Sequence, residues 1–248
     1  MPGFASLLAA SALRAASLNM CADEYLLLLA RPREIASVSR LTRDPADSPL
    51  WRQARRFKAN RGTLESVLDT RPTLVITMGG SGRATAAIAR TLGLRTLDLP
   101  FPLSIDDVAA NMDRVASALG QPARALPWKR RLARLRAATP AQRDAIFLGA
   151  GGNSFGEKSL EAEWMSLAGF RQRPLPGGRA SLELLATRPP RVLLRSTYRQ
   201  AQYSLGQSWL NHPLASPRGS TVIEVDGRPW TCGGPLMVGV IEQLRNRS

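Results

Sequence analysis

Short apolar runs alternate with helix-period segments along the whole chain, and this alternation predicts parallel sheets with helices packed on their faces. Strands are expected at 15–18, 35–39, 73–78 and 96–99, and again at 144–148, 192–195 and 221–225. Between them the apolar period becomes helical. Helices are expected from Asp23 to Ala30, where Cys21-Ala22-Asp23 offers an N-cap or first-turn carboxylate, and at 63–68, 84–92, 160–168, 181–186 and 235–245. Those at 63–68 and 181–186 stop before Arg71-Pro72 and Pro189-Pro190, because proline disfavours helix in the residue ahead of it.

The longest helical stretch opens at Ser104, an N-cap followed by Asp106 and Asp107, and runs through Val108, Met112, Val115 and Leu119. It is interrupted at Gly120-Gln121-Pro122 and resumes to about Ala138; Pro122 removes a backbone donor, which leaves a kink or a break open. The chain therefore divides into an α/β unit over 14–103, a helical connector over 104–138 and a second α/β unit over 139–248. An internal repeat supports two equivalent lobes: Thr63-Leu64-Glu65-Ser66-Val67-Leu68 before Arg71-Pro72 has the pattern of Ser181-Leu182-Glu183-Leu184-Leu185-Ala186 before Arg188-Pro189. The expected class is α/β, with two Rossmann-like lobes of parallel sheet joined by a single long α-helical connector.

Composition narrows the chemistry. A hydrophobic content of 44% over 248 residues suits a buried core, so disorder is not expected. The formal charge of +15 comes from 34 basic and 19 acidic residues, but the arginines are scattered and Lys58, Lys129 and Lys158 are the only lysines. The basic groups at 52–56 and 129–136 are short and read as solvated helix faces, so nucleic acid is not an expected partner. His212 is the only histidine, no Gly-x-Ser-x-Gly elbow occurs, and two cysteines are too few for a zinc site. Catalytic residues, a bound metal and a cofactor are therefore not expected. Cys21 and Cys232 are either bridged or reduced. Phe4 to Leu13 has the apolar, small-residue character of the end of a secretory segment without a basic start, so 1–13 reads as a truncated leader. No later run is long and apolar enough to span a bilayer.

In open parallel sheets, ligands bind beyond the carboxyl ends of strands. The loops expected there carry Asn19, Met20 and Cys21; Trp51; Met78, Gly79, Gly80 and Ser81; Phe101; Gly151, Asn153 and Phe155; Tyr198 and Tyr203; and Trp230 and Cys232. Facing each other across two lobes, they would line one cleft, with aromatic surface for a large flat ligand and backbone donors for an anionic group. The glycine turns lack the full dinucleotide spacing and the Lys-Ser/Thr of a phosphate loop. A nucleotide- or sugar-dependent transferase, using those turns as phosphate nests, is the alternative.

The run Ala16-Ser17-Leu18-Asn19-Met20-Cys21-Ala22-Asp23, the paired Leu-Glu helices before Arg-Pro, the connector start Ser104-Ile105-Asp106-Asp107 and the ending Trp230-Thr231-Cys232-Gly233-Gly234-Pro235 resemble the periplasmic binding proteins of the cobalamin and iron-siderophore class. The resemblance covers Arg14 to the C-terminus. It implies a periplasmic, monomeric, non-enzymatic receptor that holds a corrinoid, haem or ferric siderophore between its lobes and delivers it to the permease dimer of an ABC importer. It also implies a docking glutamate on each lobe, matched here by Glu65 and Glu183, whose spacing suits two arginine pockets through charge-assisted pairs. Cys21 and Cys232 fall on cleft loops of opposite lobes, where a disulfide would pin the lobes together and a thiolate would instead reach a metal in the ligand.

Overall fold

The structure, a computed structural model, describes residues 12–80 and 82–247; the proposed leader therefore lies almost wholly outside the described residues, and Ser81 entirely. In the N-terminal lobe, β1 (Ala15–Ser17), β2 (Ile35–Ser39), β3 (Lys58–Asn60), β4 (Leu74–Met78) and β5 (Arg95–Leu99) form a parallel sheet in the order β3-β2-β1-β4-β5. In the C-terminal lobe, β6 (Arg143–Leu148), β7 (Phe170–Gln172), β8 (Val192–Ser196) and β9 (Thr221–Val225) form a second parallel sheet in the order β7-β6-β8-β9. β1, β2 and β4 are buried along their whole length, which explains why they read as continuous apolar and small-residue runs rather than as alternation. The strands expected from apolar runs are present. β3 and β7 were not expected: each is three residues long, too short to carry a period, and β3 lies in an arginine-rich stretch.

Three helices belong to the first lobe: α1 (Met20–Leu29), the single-turn α2 (Trp51–Ala54) and α3 (Gly82–Thr91). The α1 cap is Asn19, not the Cys-Ala-Asp start: its Oδ1 accepts from the Ala22 amide at 2.9 Å while its Nδ2 donates to the Met78 carbonyl at 3.2 Å, clipping the end of β1 to the end of β4. Asp23 instead turns inward and is fully buried, with Oδ2 accepting from the Ser39 amide and the Thr42 hydroxyl at 2.9 and 2.5 Å. The first copy of the repeat is a 3₁₀ segment, Glu65–Thr70, closed by Arg71 in the left-handed region at φ 48° just before Pro72. Its counterpart in the second lobe is α-helical.

The connector is two helices rather than one continuous rod. α4 (Ile105–Ala118) opens with a reciprocal cap: the Asp107 amide donates to Ser104 Oγ at 3.1 Å, and the Ser104 amide donates to Asp107 Oδ2 at 3.0 Å. It ends where Gly120 adopts φ 68°, and a 3₁₀ turn over Pro122–Ala125 leads into α5 (Leu126–Ala137). The glycine permits the left-handed residue and the proline cannot continue the α4 hydrogen-bond ladder, so the break follows from the sequence. Gln121, inside the break, donates to Glu34 of the first lobe at 2.7 Å, and α5 is tied to the second lobe by Arg131 and Glu242, 2.5 Å apart.

The second lobe adds α6 (Leu160–Leu167), α7 (Leu182–Thr187), α8 (Leu205–Leu210) and α9 (Met237–Arg245). Packing of α1 on α4, α4 on α6, and both α5 and α6 on α9 joins the lobes through one contiguous set of buried side chains, running from Ala15 and Leu26 through Met112 and Trp164 to Trp230 and Ile241. A disulfide between Cys21, at the start of α1, and Cys232 adds a covalent tie across the lobes, with Cα atoms 5.4 Å apart.

Two outcomes follow from this junction. The bridge closes a loop with a sequence separation of 211 residues, so replacing both cysteines by serine should cost about 2–5 kcal/mol, chiefly by freeing the unfolded chain; denaturant titration under oxidising conditions checks this. Burial pushes the Asp23 carboxyl up to about 7, against the opposing bonds from Thr42, Ser17 and Ser39, and raises Glu24 as well. The native state then holds protons that the unfolded chain has released above its ordinary carboxyl range, so stability should fall as pH rises from about 4 to about 7. Asp23→Asn should flatten that slope; an unaltered slope would show that Asp23 does not titrate there.

Candidate functional site

In the second lobe the chain leaves β6 and β8 in opposite directions along the sheet, and crevices form where strand order reverses in this way. The segments that follow these two strands, together with the loop after β9, surround a cavity of about 400 Å³, within the range that holds a small organic ligand. Phe147, the penultimate residue of β6, forms its floor with Phe155 and Trp230. Ring centroids are 4.4 Å apart for Phe147 and Phe155, 4.9 Å for Phe147 and Trp230, and 5.9 Å for Phe155 and Trp230. Phe147 and Trp230 are buried, so the half-exposed Phe155 is the ring of the three available to a ligand, held in place by the other two.

Polar groups rim this apolar floor. Tyr198, Ser196, Asn153 and Gln207 line it, and Gln207 is fixed by donating from Nε2 to the Tyr198 carbonyl at 3.0 Å. Gly227 leaves room for them: a Cβ there would lie 2.0 Å from Ser196 Oγ and 2.7 Å from Tyr198 Cβ. The Tyr198 hydroxyl donates to Asp47 Oδ1 of the first lobe at 3.0 Å. Burial, followed by that contact, raises the phenol above its ordinary value, so it stays a neutral donor near pH 7. A neighbouring cavity of about 580 Å³ shares Tyr198, Arg199 and Gln202 and reaches Pro45 and Ala46, so the open space extends from the second lobe to the lobe boundary.

Of the residues expected to line a cleft, the structure brings together Asn153, Phe155, Tyr198 and Trp230 on the 400 Å³ cavity, all from the second lobe. Asn19 is taken up in capping, and Cys21 and Cys232 in the disulfide. A bridged sulfur is not a free thiolate, so the metal-touching alternative for these cysteines is excluded. Met20 is half-buried beside the bridge and Met78 is in the core. Trp51 is outside the cavity, with the guanidinium groups of Arg52 and Arg55 over its ring at 4.6 and 4.5 Å from the centroid. Phe101 and Tyr203 are exposed outside the cavity, as are Gly79 and Gly80. Gly151 lies on a separate surface groove with Trp209. The glycine turn there is a packing device: a Cβ on Gly152 would meet the Ala180 carbonyl at 2.3 Å and the Trp209 ring at 2.9 Å. Phe147, Ser196, Gln207, Gly227, Arg199 and Asp47 were not anticipated. Phe147 and Ser196 had a signal, since both sit at carboxyl ends of expected strands; Asp47 had none.

Glu65 and Glu183 are both exposed, at the first turn of the paired repeat segments. Among the described residues no group of histidine, cysteine and acidic side chains could hold a metal, and no helix is long and apolar enough to cross a membrane.

No family model and no curated protein sequence matches the chain. Solved structures do. The periplasmic heme-binding protein HutB of Vibrio cholerae superposes with a TM-score of 0.74 at 16% identity, covering 96% of this chain and 99% of that one. The periplasmic heme-binding protein RhuT from Roseiflexus sp. RS-1 gives 0.69 at 21%, covering 95% and 97%, and the periplasmic vitamin B12 binding protein BtuF of Vibrio cholerae gives 0.64 at 21%, covering 94% and 95%. The chain has the fold of the class III periplasmic binding proteins. Coverage near the full length of each neighbour means that both lobes and the helical connector take part in the match. Within this class III fold, the cavity at the β6–β8 crevice is the candidate ligand site.

The clearance at Gly227 gives a direct check on that site. Gly227→Ala should cost about 1–3 kcal/mol by overpacking Ser196 and Tyr198, and it should displace Tyr198 from Asp47. Denaturant titration measures the first and a crystal structure of the variant the second; wild-type stability would refute the tight contact.

Proposed function

We propose that this chain is the substrate-binding component of an ABC importer, taking a ligand of the corrinoid, haem or ferric-siderophore type into the inter-lobe cleft and delivering it to the permease dimer in the periplasm. The observation that carries this proposal is the floor of Phe147, Phe155 and Trp230, rimmed by neutral hydrogen-bonding groups at the crevice of the second lobe. Such a surface binds by stacking and apolar burial, with a few polar contacts fixing orientation. The function needs no nucleophile, metal or cofactor from the protein. Two neighbours of the same fold are described as heme-binding and one as vitamin B12 binding, which supports a macrocyclic ligand.

Delivery is assigned to Glu65 and Glu183. They stand at matching places in the two repeats, exposed, one on each lobe. A connector tied to both lobes keeps their separation fixed, and two carboxylates at a fixed spacing meet two arginine-bearing sites with defined orientation as well as affinity.

Calorimetric and visible titration with haemin, cyanocobalamin and a ferric hydroxamate at near-physiological salt should give saturable one-to-one binding for one of them. Phe155→Ala should weaken that binding about tenfold, the loss of one aromatic contact with its buried area; no binding of any of the three would overturn the ligand class. Replacing Glu65 and Glu183 together by arginine should abolish transporter-dependent uptake with ligand affinity unchanged, as measured in a reconstituted system. Uptake that survives the double change would remove the docking assignment.

A further inference from the structure

The charge around the cavity is arranged in a way that ligand binding alone does not require. Among the described residues that line the 400 Å³ cavity, Arg199 is the one charged side chain, and its charge is already engaged. Its Nε and Nη2 lie 3.0 and 2.5 Å from Oδ1 of Asp47, a carboxylate of the opposite lobe whose side chain is only 6% exposed. The same oxygen receives the Tyr198 hydroxyl at 3.0 Å. Three donors from one turn of the second lobe thus converge on one acceptor of the first.

The backbone shows how firmly this pairing is built. Arg199 reaches Asp47 from the left-handed region, at φ 52°, which side chains with a Cβ seldom adopt. The loop carrying Asp47 is held at a second point, where Arg228 Nη1 donates to the carbonyls of Pro45 and Ser48 at 2.8 and 3.5 Å. Arg228 is itself neutralised by Asp226, 2.7 Å away. The two clasps leave the cavity without an uncompensated charge.

A guanidinium presents its donors in a fixed fork that suits any carboxylate, whether from the protein or from a ligand. We propose that Asp47 is an internal competitor for acidic ligands: it occupies the Nε–Nη2 side of Arg199, and a ligand carboxylate gains that paired face of the guanidinium only by displacing Asp47, which unfastens the 44–48 loop from the 197–202 turn. The proposal rests on the cleft being the ligand site. A neutral ligand leaves the clasp closed, whereas an acidic one must exchange one ion pair for another. Net affinity for acidic ligands is then set by the difference between the two pairs, and ligand charge is coupled to the contact between the lobes. Asp47 is thereby a specificity-determining residue that need not touch the ligand.

The test compares haemin, which carries two carboxyl groups, with its neutral dimethyl ester, following Soret absorbance and tryptophan quenching at fixed salt. Asp47→Asn keeps the shape and removes the charge. It should tighten haemin binding about fivefold, the scale of one partly solvated ion pair, and leave the ester unchanged. Arg199→Gln should abolish any preference for haemin over the ester. Asp47→Glu, which restores the competing charge, should return haemin affinity toward the wild-type value. Asp47→Asn that leaves haemin affinity unaltered, or weakens haemin and ester alike, overturns the competitor role while the cleft assignment stands. If the wild-type protein binds neither porphyrin, the cleft assignment for this ligand class fails and the competitor role falls with it.

Discussion

The junction between the start of α1 and the loop over 230–237 is the constraint on which the rest of the molecule depends. Cys21 is bonded to Cys232 there, and Glu24, one turn further along α1, lies so close to Gly234 that a Cβ at that glycine would stand 2.5 Å from Oε2. Two tryptophans grip the same loop through its carbonyls: Trp164 donates to Gly233 at 2.8 Å and Trp128 to Pro235 at 2.7 Å. One segment of the second lobe is thus fixed by α1, by the connector and by α6. Because the loop also carries Trp230, the anchoring that joins the lobes sets the position of the aromatic floor.

That arrangement makes the site rigid where it is apolar and exchangeable where it is polar. Phe155, the ring left open on the cavity, packs against Phe147 and Trp230 of the contiguous core, so the apolar surface there is preorganised and binding need not order it. The rim is different. Tyr198 and Arg199 are positioned by bonds that cross from one lobe to the other and end on a single carboxylate, Asp47. Hydrogen bonds of this kind are strong while they are intact, yet a ligand with suitable oxygens can replace them.

The buried carboxylates of α1 show what the junction costs. Asp23 and Glu24 are both enclosed, and burial raises both above the ordinary carboxyl range. Asp23 is partly compensated by the Ser39 amide and Thr42 hydroxyl and Glu24 by the Leu236 backbone, while Oδ1 of Asp23 and Oε2 of Glu24 have no hydrogen-bond partner. These groups weaken the fold as they ionise, and the disulfide beside them offsets that loss by limiting the unfolded chain.

The sequence by itself determined the buried strands, because fully buried parallel strands must be apolar along their length, as in Leu74–Met78 and Ile146–Leu148, but not the three-residue β3 and β7. It likewise pointed to the two-lobed division, through the paired Leu-Glu segments, and to an interruption of the connector at Gly120 and Pro122, since these signals are local in the chain, but the single long helix expected there is two helices, and only the structure decided for a break over a kink. It singled out Phe155, Tyr198 and Trp230 because they follow strands whose carboxyl ends mark the ligand side. Only the tertiary structure decided that Asn19 caps α1 and Trp51 lies off the cavity, that Phe147 packs against Phe155, and that Asp47 meets Arg199 from 152 residues away. Those outcomes depend on how far apart loops of different lobes are held, and no pattern along the chain encodes a distance across it.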